Sequence, residues 1–297
     1  MPFSQTQIAA AYAHCERVAR KHYENFPVAS LLLPRAMRRH VAAVYAFARQ
    51  ADDFADEPQF EGPLGKREAL LADWRLQLDR AASGAAENPV FIAVADTLTR
   101  FPLPVALLHD LISAFEQDLH VMSYETFDAL LGYCRLSANP VGRVVLHLAG
   151  RNEEALMIQS DAICTALQLA NFWQDVALDL AKGRCYLPRE DRLRFRCTDA
   201  TLNARRADPA FVELMRFQVA RTRALFARGA HLPAEVGGRV GFELRLVVLG
   251  GLKILEMIER AGYDVFTRRP SLSAPDWGRL VVRATFLADG GLVRAAS

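Results

Sequence analysis

Apolar residues recur at helical spacing almost throughout this 297-residue chain, and no stretch alternates apolar and polar residues long enough to suggest a strand. Val41, Val44, Tyr45 and Ala48 mark one helical stretch, and Ile163, Ala166, Ala170 and Trp173 mark another. Side chains three and four residues apart share a helix face, so the chain is predicted to be all-α. With 52% apolar residues it can bury a large core. Breakers fall at residues 58–65, 83–89, 101–104, 139–142, 182–188, 232–241 and 268–275, leaving helices of roughly 12 to 25 residues. No repeat or low-complexity linker divides the chain, and residues 1–297 are expected to form a single helical domain.

Charge excludes one class of partner. The 36 Lys plus Arg against 34 Asp plus Glu are too balanced to indicate nucleic-acid binding. Only Lys21, Lys66, Lys182 and Lys253 are lysines. Arginine forks suit phosphates and carboxylates, although a general arginine bias explains the count equally well. Five scattered cysteines (Cys15, Cys134, Cys164, Cys185, Cys197), with no C-x-x-C pair and no secretory leader, are expected to be reduced thiols in the cytoplasm. No segment reaches the ~20 uninterrupted apolar residues of a spanning helix. The best candidate, 240–258, is interrupted by Glu243, Arg245, Lys253 and Glu256 and reads as a buried helix. A water-soluble catalyst could still touch a bilayer peripherally if its substrate were a lipid.

Two aspartate motifs carry the chemistry. Tyr45, Arg49, Asp52 and Asp56 are spaced four, three and four residues apart and form one stripe on the helix that ends before Pro58. Gln168, Asn171, Asp175 and Asp179, spaced three, four and four, form another on the helix ending near Gly183. The first continues an apolar stripe from Val41, and the second runs among Leu167, Ala170, Phe172 and Trp173, so both are expected to point inward. Carboxylates at i and i+4 repel by a few tenths of a kcal/mol even when exposed, and burial adds to that cost. Both motifs lie near helix C-termini, where the macrodipole disfavours negative charge. Compensating positive charge is therefore expected, and Mg²⁺ suits it, because it binds one or two carboxylates together with substrate phosphates and waters. Two such helices facing each other would hold metal ions and a diphosphate. A solvated acidic helix end is the plainer account of either motif alone.

These motifs resemble those of the squalene and phytoene synthase family. Tyr45 through Glu57 is similar to its first aspartate signature and Gln168 through Asp179 to its second. Two further stretches, 25–34 and 133–142, are most similar to bacterial hydroxysqualene synthases of the hopanoid pathway. The resemblance implies an all-α isoprenoid-synthase helical bundle with a central active-site cavity. It implies Mg²⁺ held by Asp52, Asp56, Asp175 and Asp179, and catalytic roles for Tyr45, Arg49, Tyr133, Asn171 and Tyr186. Gln168 and Arg184 are implied to contact the diphosphate and its metal. The substrate implied is a prenyl diphosphate, presqualene diphosphate, and the product hydroxysqualene; condensation of two prenyl diphosphates is the alternative. Tyr23, Asn25 and Pro27 stand where the family often offers serines to the phosphates.

Arg49, Lys182 and Arg184 could add hydrogen bonds to the same anion, while an intrahelical pair with Asp53 accounts for Arg49 as well. A carbocation left after ionisation needs aromatic faces; Tyr45 and Tyr133 are the leading candidates, with Phe26, Phe172 and Trp173 as others that core packing would equally explain. Asp118 could serve as a base or simply close a helix. A di-iron bundle would need Glu-x-x-His, and none of the seven histidines has Glu three residues before it. A non-catalytic scaffold would be expected to carry a degraded motif. No strand followed by G-x-G-x-x-G is present, so no dinucleotide site is expected.

Overall fold

A computed structural model describes residues 3–21, 32–63, 65–286 and 291–296. Residues 22–31, which contain Tyr23, Phe26 and most of the 25–34 stretch, lie outside the described residues. Among the described residues the chain is helical without a named strand. In order run α1 (Gln5–Lys21), α2 (Arg35–Asp56), α3 (Lys66–Ala82), α4 (Pro89–Arg100), α5 (Ala106–Asp118), α6 (Phe127–Ser137), α7 (Asn139–Leu148), α8 (Glu154–Ala181), α9 (Arg189–Arg194), α10 (Asp199–Asn203), α11 (Pro209–Gly229), α12 (Leu232–Val236), α13 (Gly238–Arg260), α14 (Ala274–Phe286) and α15 (Gly291–Ala296). Two compact units are present: residues 1–120 with 140–153, and residues 121–139 with 154–297.

In the first unit, α2 packs against α1, α3, α4 and α5. Its core is aromatic: Trp74 lies 4.4 Å from Phe91, 5.5 Å from Phe54 and 5.9 Å from Phe47 between ring centroids. A buried polar network stitches α1, α2 and α4 together. Tyr12 donates to Asp96 Oδ2 at 2.8 Å, His40 Nδ1 lies 2.9 Å from both Tyr12 Oη and Thr97 Oγ1, and Arg39 Nε donates to His40 Nε2 at 3.2 Å. Because Nε2 accepts, the His40 proton belongs on Nδ1 and the ring is neutral. Burial, then the neighbouring Arg39 cation, pushes His40 down to about 4.

In the second unit the longest helix, α8, packs along α11 and also touches α6, α12 and α13. Trp173 is fully buried at this contact and donates to Thr222 Oγ1 at 2.8 Å. Gly251 lets α13 approach closely: a Cβ there would lie 2.5 Å from Phe226 Cζ. The expected buried helix at 240–258 is α13, with Val240, Leu249, Leu255 and Ile258 in the core. No helix among the described residues is long and apolar enough to cross a membrane.

The break predicted at 139–142 falls at Ala138, between α6 and α7, and Asn139 and Pro140 open α7, where the missing proline N–H costs nothing. The helices are also broken at 119–126, 149–153 and 195–208, where no boundary is predicted. Between α5 and α6 the chain leaves the helical path at 119–126, and Thr126 caps α6 by accepting from Ala129 N. Residues 189–229 divide into α9, α10 and α11, with Thr198 and Asp208 as side-chain N-caps and Pro209 following the second. The cysteines are all free thiols.

Candidate active site

The first acidic stripe occupies the last turns of α2. Pro58 forces the residue before it out of the helical region, and Glu57 is accordingly extended at φ −77°, ψ 134°, while its N–H still caps Asp53 O. Tyr45, Arg49, Asp52 and Asp56 are all half-buried, between the buried Ala51, Phe54 and Ala55. The last turn of α2 has no basic residue. Arg49, one turn upstream, supplies the compensating charge: Nη2 lies 2.7 Å from Asp53 Oδ1 and Nη1 lies 3.3 Å from Asp52 Oδ2. The Asp53 contact is an ion pair without hydrogen-bond alignment, so this buried oxygen retains bonding capacity. Burial draws Arg49 down, but Asp52 and Asp53 outweigh it and hold the guanidinium above its ordinary value. The intrahelical pairing anticipated for Arg49 is thus present, and the guanidinium is shared among three acids, with Glu57 Oε1 3.5 Å from Nη2.

The second stripe runs down α8 in the other unit. Gln168, Asn171, Asp175 and Asp179 are half-buried beside the buried Leu169, Phe172 and Val176. Arg269 grips Asp175 with two parallel donors, Nε to Oδ1 and Nη2 to Oδ2, the second at 3.1 Å. The bond to Asp175 raises Arg269 above its usual value. Gln174, next in sequence, donates to Pro270 O and fixes the same loop. Arg269 was missed in the sequence because it lies 94 residues from its partner; the only available signal was the demand for positive charge beside Asp175.

The end of α8 determines what lies near Asp179. Gly183 takes φ +76°, Gly183 N bonds Leu180 O, and Arg184 N bonds Asp179 O at 2.9 Å. This Schellman closure turns the chain back on the helix end. Cys185 N then bonds Met122 O, and Arg189 N bonds Tyr124 O, pinning 185–189 along the 122–125 segment. As a result Asp179, Arg184, Tyr186 and Phe172 line one small pocket. Tyr186 stacks on Phe172 with centroids 3.8 Å apart and planes 6° from parallel, while Tyr124 and Tyr133 lie 5.9 and 6.1 Å from Tyr186. Phe172 and Tyr124 therefore join Tyr133 and Tyr186 in one aromatic cluster. Trp173 does not: it is sealed in the core against Thr222, which removes it as a cation-facing ring. Lys182 is exposed, and Asp118 is buried at the end of α5 in the first unit.

The donor set suits a hard cation. Each stripe offers carboxylate oxygens one turn apart, and within neither unit do three or more His, Cys, Asp or Glu among the described residues form a ready metal cage. Carboxylate oxygens of this kind are the ligand type that Mg²⁺ takes together with phosphates and water.

An all-α chain with an acidic stripe at the end of each of two long helices, one stripe beside an aromatic cluster, defines a helical protein that offers cation-binding carboxylates and, at one of them, electron-rich rings. The chain belongs to the squalene/phytoene synthase family, which it matches over residues 19–276, and members of that family process prenyl diphosphates. It is 35% identical over 230 residues to the hydroxysqualene synthase of Zymomonas mobilis, covering 75% of each chain. It is 31% identical over 286 residues to the phytoene synthase of Arthrospira platensis, covering 91% of this chain and 90% of that one. Among solved structures, squalene synthase HpnC from Alicyclobacillus acidocaldarius is 41% identical with a TM-score of 0.83, covering 88% of this chain and 97% of that one. A dehydrosqualene synthase shares the isoprenoid-synthase helical fold at TM-score 0.84 and 24% identity, covering 96% and 98%.

Proposed function

We propose that this protein converts presqualene diphosphate and water to hydroxysqualene and diphosphate, with Mg²⁺ bound. The observation that carries the reading is the junction of acid and aromatic groups at the end of α8, where Asp179, Arg184, Tyr186 and Phe172 line one pocket. Ionisation needs charge neutralisation at the leaving oxygen and electron-rich faces around the cation, and both kinds of group meet here. The choice of hydroxysqualene over phytoene is supported by the 35% identity over 230 residues to the Zymomonas mobilis hydroxysqualene synthase, against 31% over 286 residues to the Arthrospira platensis phytoene synthase. A single family match across residues 19–276 supports reading 1–297 as one prenyl-synthase domain.

Asp52 and Asp56 on α2, and Asp175 and Asp179 on α8, would hold Mg²⁺, which when bound neutralises the charge that develops on the departing diphosphate. Arg49 orients Asp52 and Asp53 and offsets their charge, and Arg269 does the same for Asp175. Gln168, Asn171 and Arg184 would donate hydrogen bonds to the diphosphate oxygens. The carbon–oxygen bond breaks with its electron pair leaving on the diphosphate. Tyr45, Tyr133 and Tyr186 stabilise the cation by their ring faces, at about 0.5 to 2 kcal/mol per contact. Water adds to the rearranged cation and loses one proton, so no reductant is consumed.

Purified protein incubated with Mg²⁺ and presqualene diphosphate, followed by organic extraction, tests this directly. An alcohol is expected. Squalene or phytoene as the product, or turnover only when two prenyl diphosphates are supplied for condensation, overturns the assignment.

A further inference from the structure

The surface of the second unit carries a feature that the reaction does not use. Helix α14 buries Leu280 and Ala284 against α13, and Arg245 fixes its end by donating to Ala284 O at 2.9 Å. Directly opposite, Pro275, Arg279, Val282 and Phe286 follow one another at steps of four, three and four residues and make an outward stripe. Phe286 is 82% exposed, Val282 60% and the adjacent Val281 42%. Single exposed apolar side chains are ordinary, but two on one stripe with a third beside them mark a surface that expects a partner.

Charge identifies that partner. Arg279 also lines an open groove of about 380 Å³ together with Lys253, Arg260, Arg268 and Arg269, against Asp276 as the one carboxylate in the lining. Lys253 and Arg260 share Glu256, Arg279 approaches Asp276 at 3.7 Å, and Arg269 is held by Asp175. Arg268 has no acidic partner among the described residues. A groove rich in guanidinium groups beside protruding apolar side chains is the pattern of an interfacial helix: apolar tips enter the acyl boundary while cations meet phosphates at headgroup level. A stable protein interface needs a larger patch than three apolar side chains supply.

We infer that the outer stripe of α14 and the basic groove beside it dock the protein on a bilayer rich in anionic lipids. The docking surface is therefore α14; α13, the best candidate for a spanning helix by sequence, is committed to the core. The inference is independent of which product is formed, because its readout is binding.

Co-sedimentation of the full chain with phosphatidylcholine vesicles, with and without phosphatidylglycerol, tests it. The protein is expected to pellet with the anionic vesicles and to be released by salt. Near an anionic surface each cation contributes about fivefold in partitioning, so R268E/R279E should lower binding about 25-fold or more. V282D/F286D, at exposed positions that leave helicity by circular dichroism unchanged, should also lower it at least about tenfold. The same apolar double variant should turn over detergent-dispersed substrate like the parent, which separates failure of docking from failure of the proposed reaction. Absence of vesicle binding, equal binding to neutral and anionic vesicles, or unchanged binding by either double variant overturns the inference. So does a concentration-dependent dimer that V282D/F286D abolishes, which would give the face to a second copy.

Discussion

Exchange of Tyr186 for leucine separates the aromatic face from everything else that residue offers. Tyr186 lies parallel to Phe172 at 3.8 Å and lines the pocket that also contains Asp179 and Arg184. If its ring stabilises the developing cation, its removal forfeits about 0.5 to 2 kcal/mol of transition-state stabilisation, or roughly 2- to 30-fold in rate. The same change loses the stack in the ground state, about 0.5 to 1.5 kcal/mol of folding stability, so thermal melting must show the variant folded at the assay temperature. Y186F keeps the ring and loses only the hydroxyl, and is expected to stay within about twofold of the parent rate by the same reasoning. The assay is single-turnover release of diphosphate at saturating presqualene diphosphate, which isolates ionisation from product departure. A folded Y186L protein as fast as the parent would refute the face argument. A Y186F protein as slow as Y186L would move the role to the hydroxyl.

Other expectations follow from the same geometry. D52N and D175N should each lower turnover by at least about 100-fold with helical circular dichroism intact, and parent-like turnover by either would remove its metal role. R269K cannot make the two parallel bonds to Asp175; it should melt as if about 1 kcal/mol were lost, the arginine being one-third exposed, and a melt identical to the parent's would show the pair contributes nothing. His40 is neutral in the fold and held at about 4, below its unfolded value. Between about pH 6.5 and about pH 4 the unfolded state therefore binds the extra proton, and stability should fall as pH drops through that window. H40Q should flatten this part of the pH–melting curve, and an unaltered slope would show that His40 does not cause it. Burial pushes the Cys15 and Cys134 thiols up to about 12, so both should resist alkylation in the native protein and react once it is denatured.

Much of the fold was legible because it depends on local spacing. The apolar period specified helices without any knowledge of their partners, and Pro58 and Gly183 marked the ends of α2 and α8 through backbone restrictions that act within a residue or two. Both stripes were legible for the same reason, since side chains four residues apart share a face whatever the tertiary context. The missed boundaries at 119–126 and 195–208 contain no dense Pro/Gly run; their stops are made by Thr126, Thr198 and Asp208 caps, which resemble ordinary polar residues until their hydrogen bonds are seen. The least legible contacts were long-range ones. Arg269 reaching Asp175, Tyr124 and Tyr186 brought together by the 122–125 and 185–189 segments, and Trp173 turned into the core all depend on which face of α8 meets which neighbour. Sequence periodicity gives the faces of a helix but not their partners.

The central claim is that the substrate loses diphosphate by carbon–oxygen cleavage and that water, with no reductant, ends the reaction. Turnover of presqualene diphosphate in heavy-oxygen water, read by mass spectrometry, tests it most directly. One heavy oxygen in an alcohol product and none in the released diphosphate is the expected result; heavy oxygen in the diphosphate, or an oxygen-free hydrocarbon product, would contradict it.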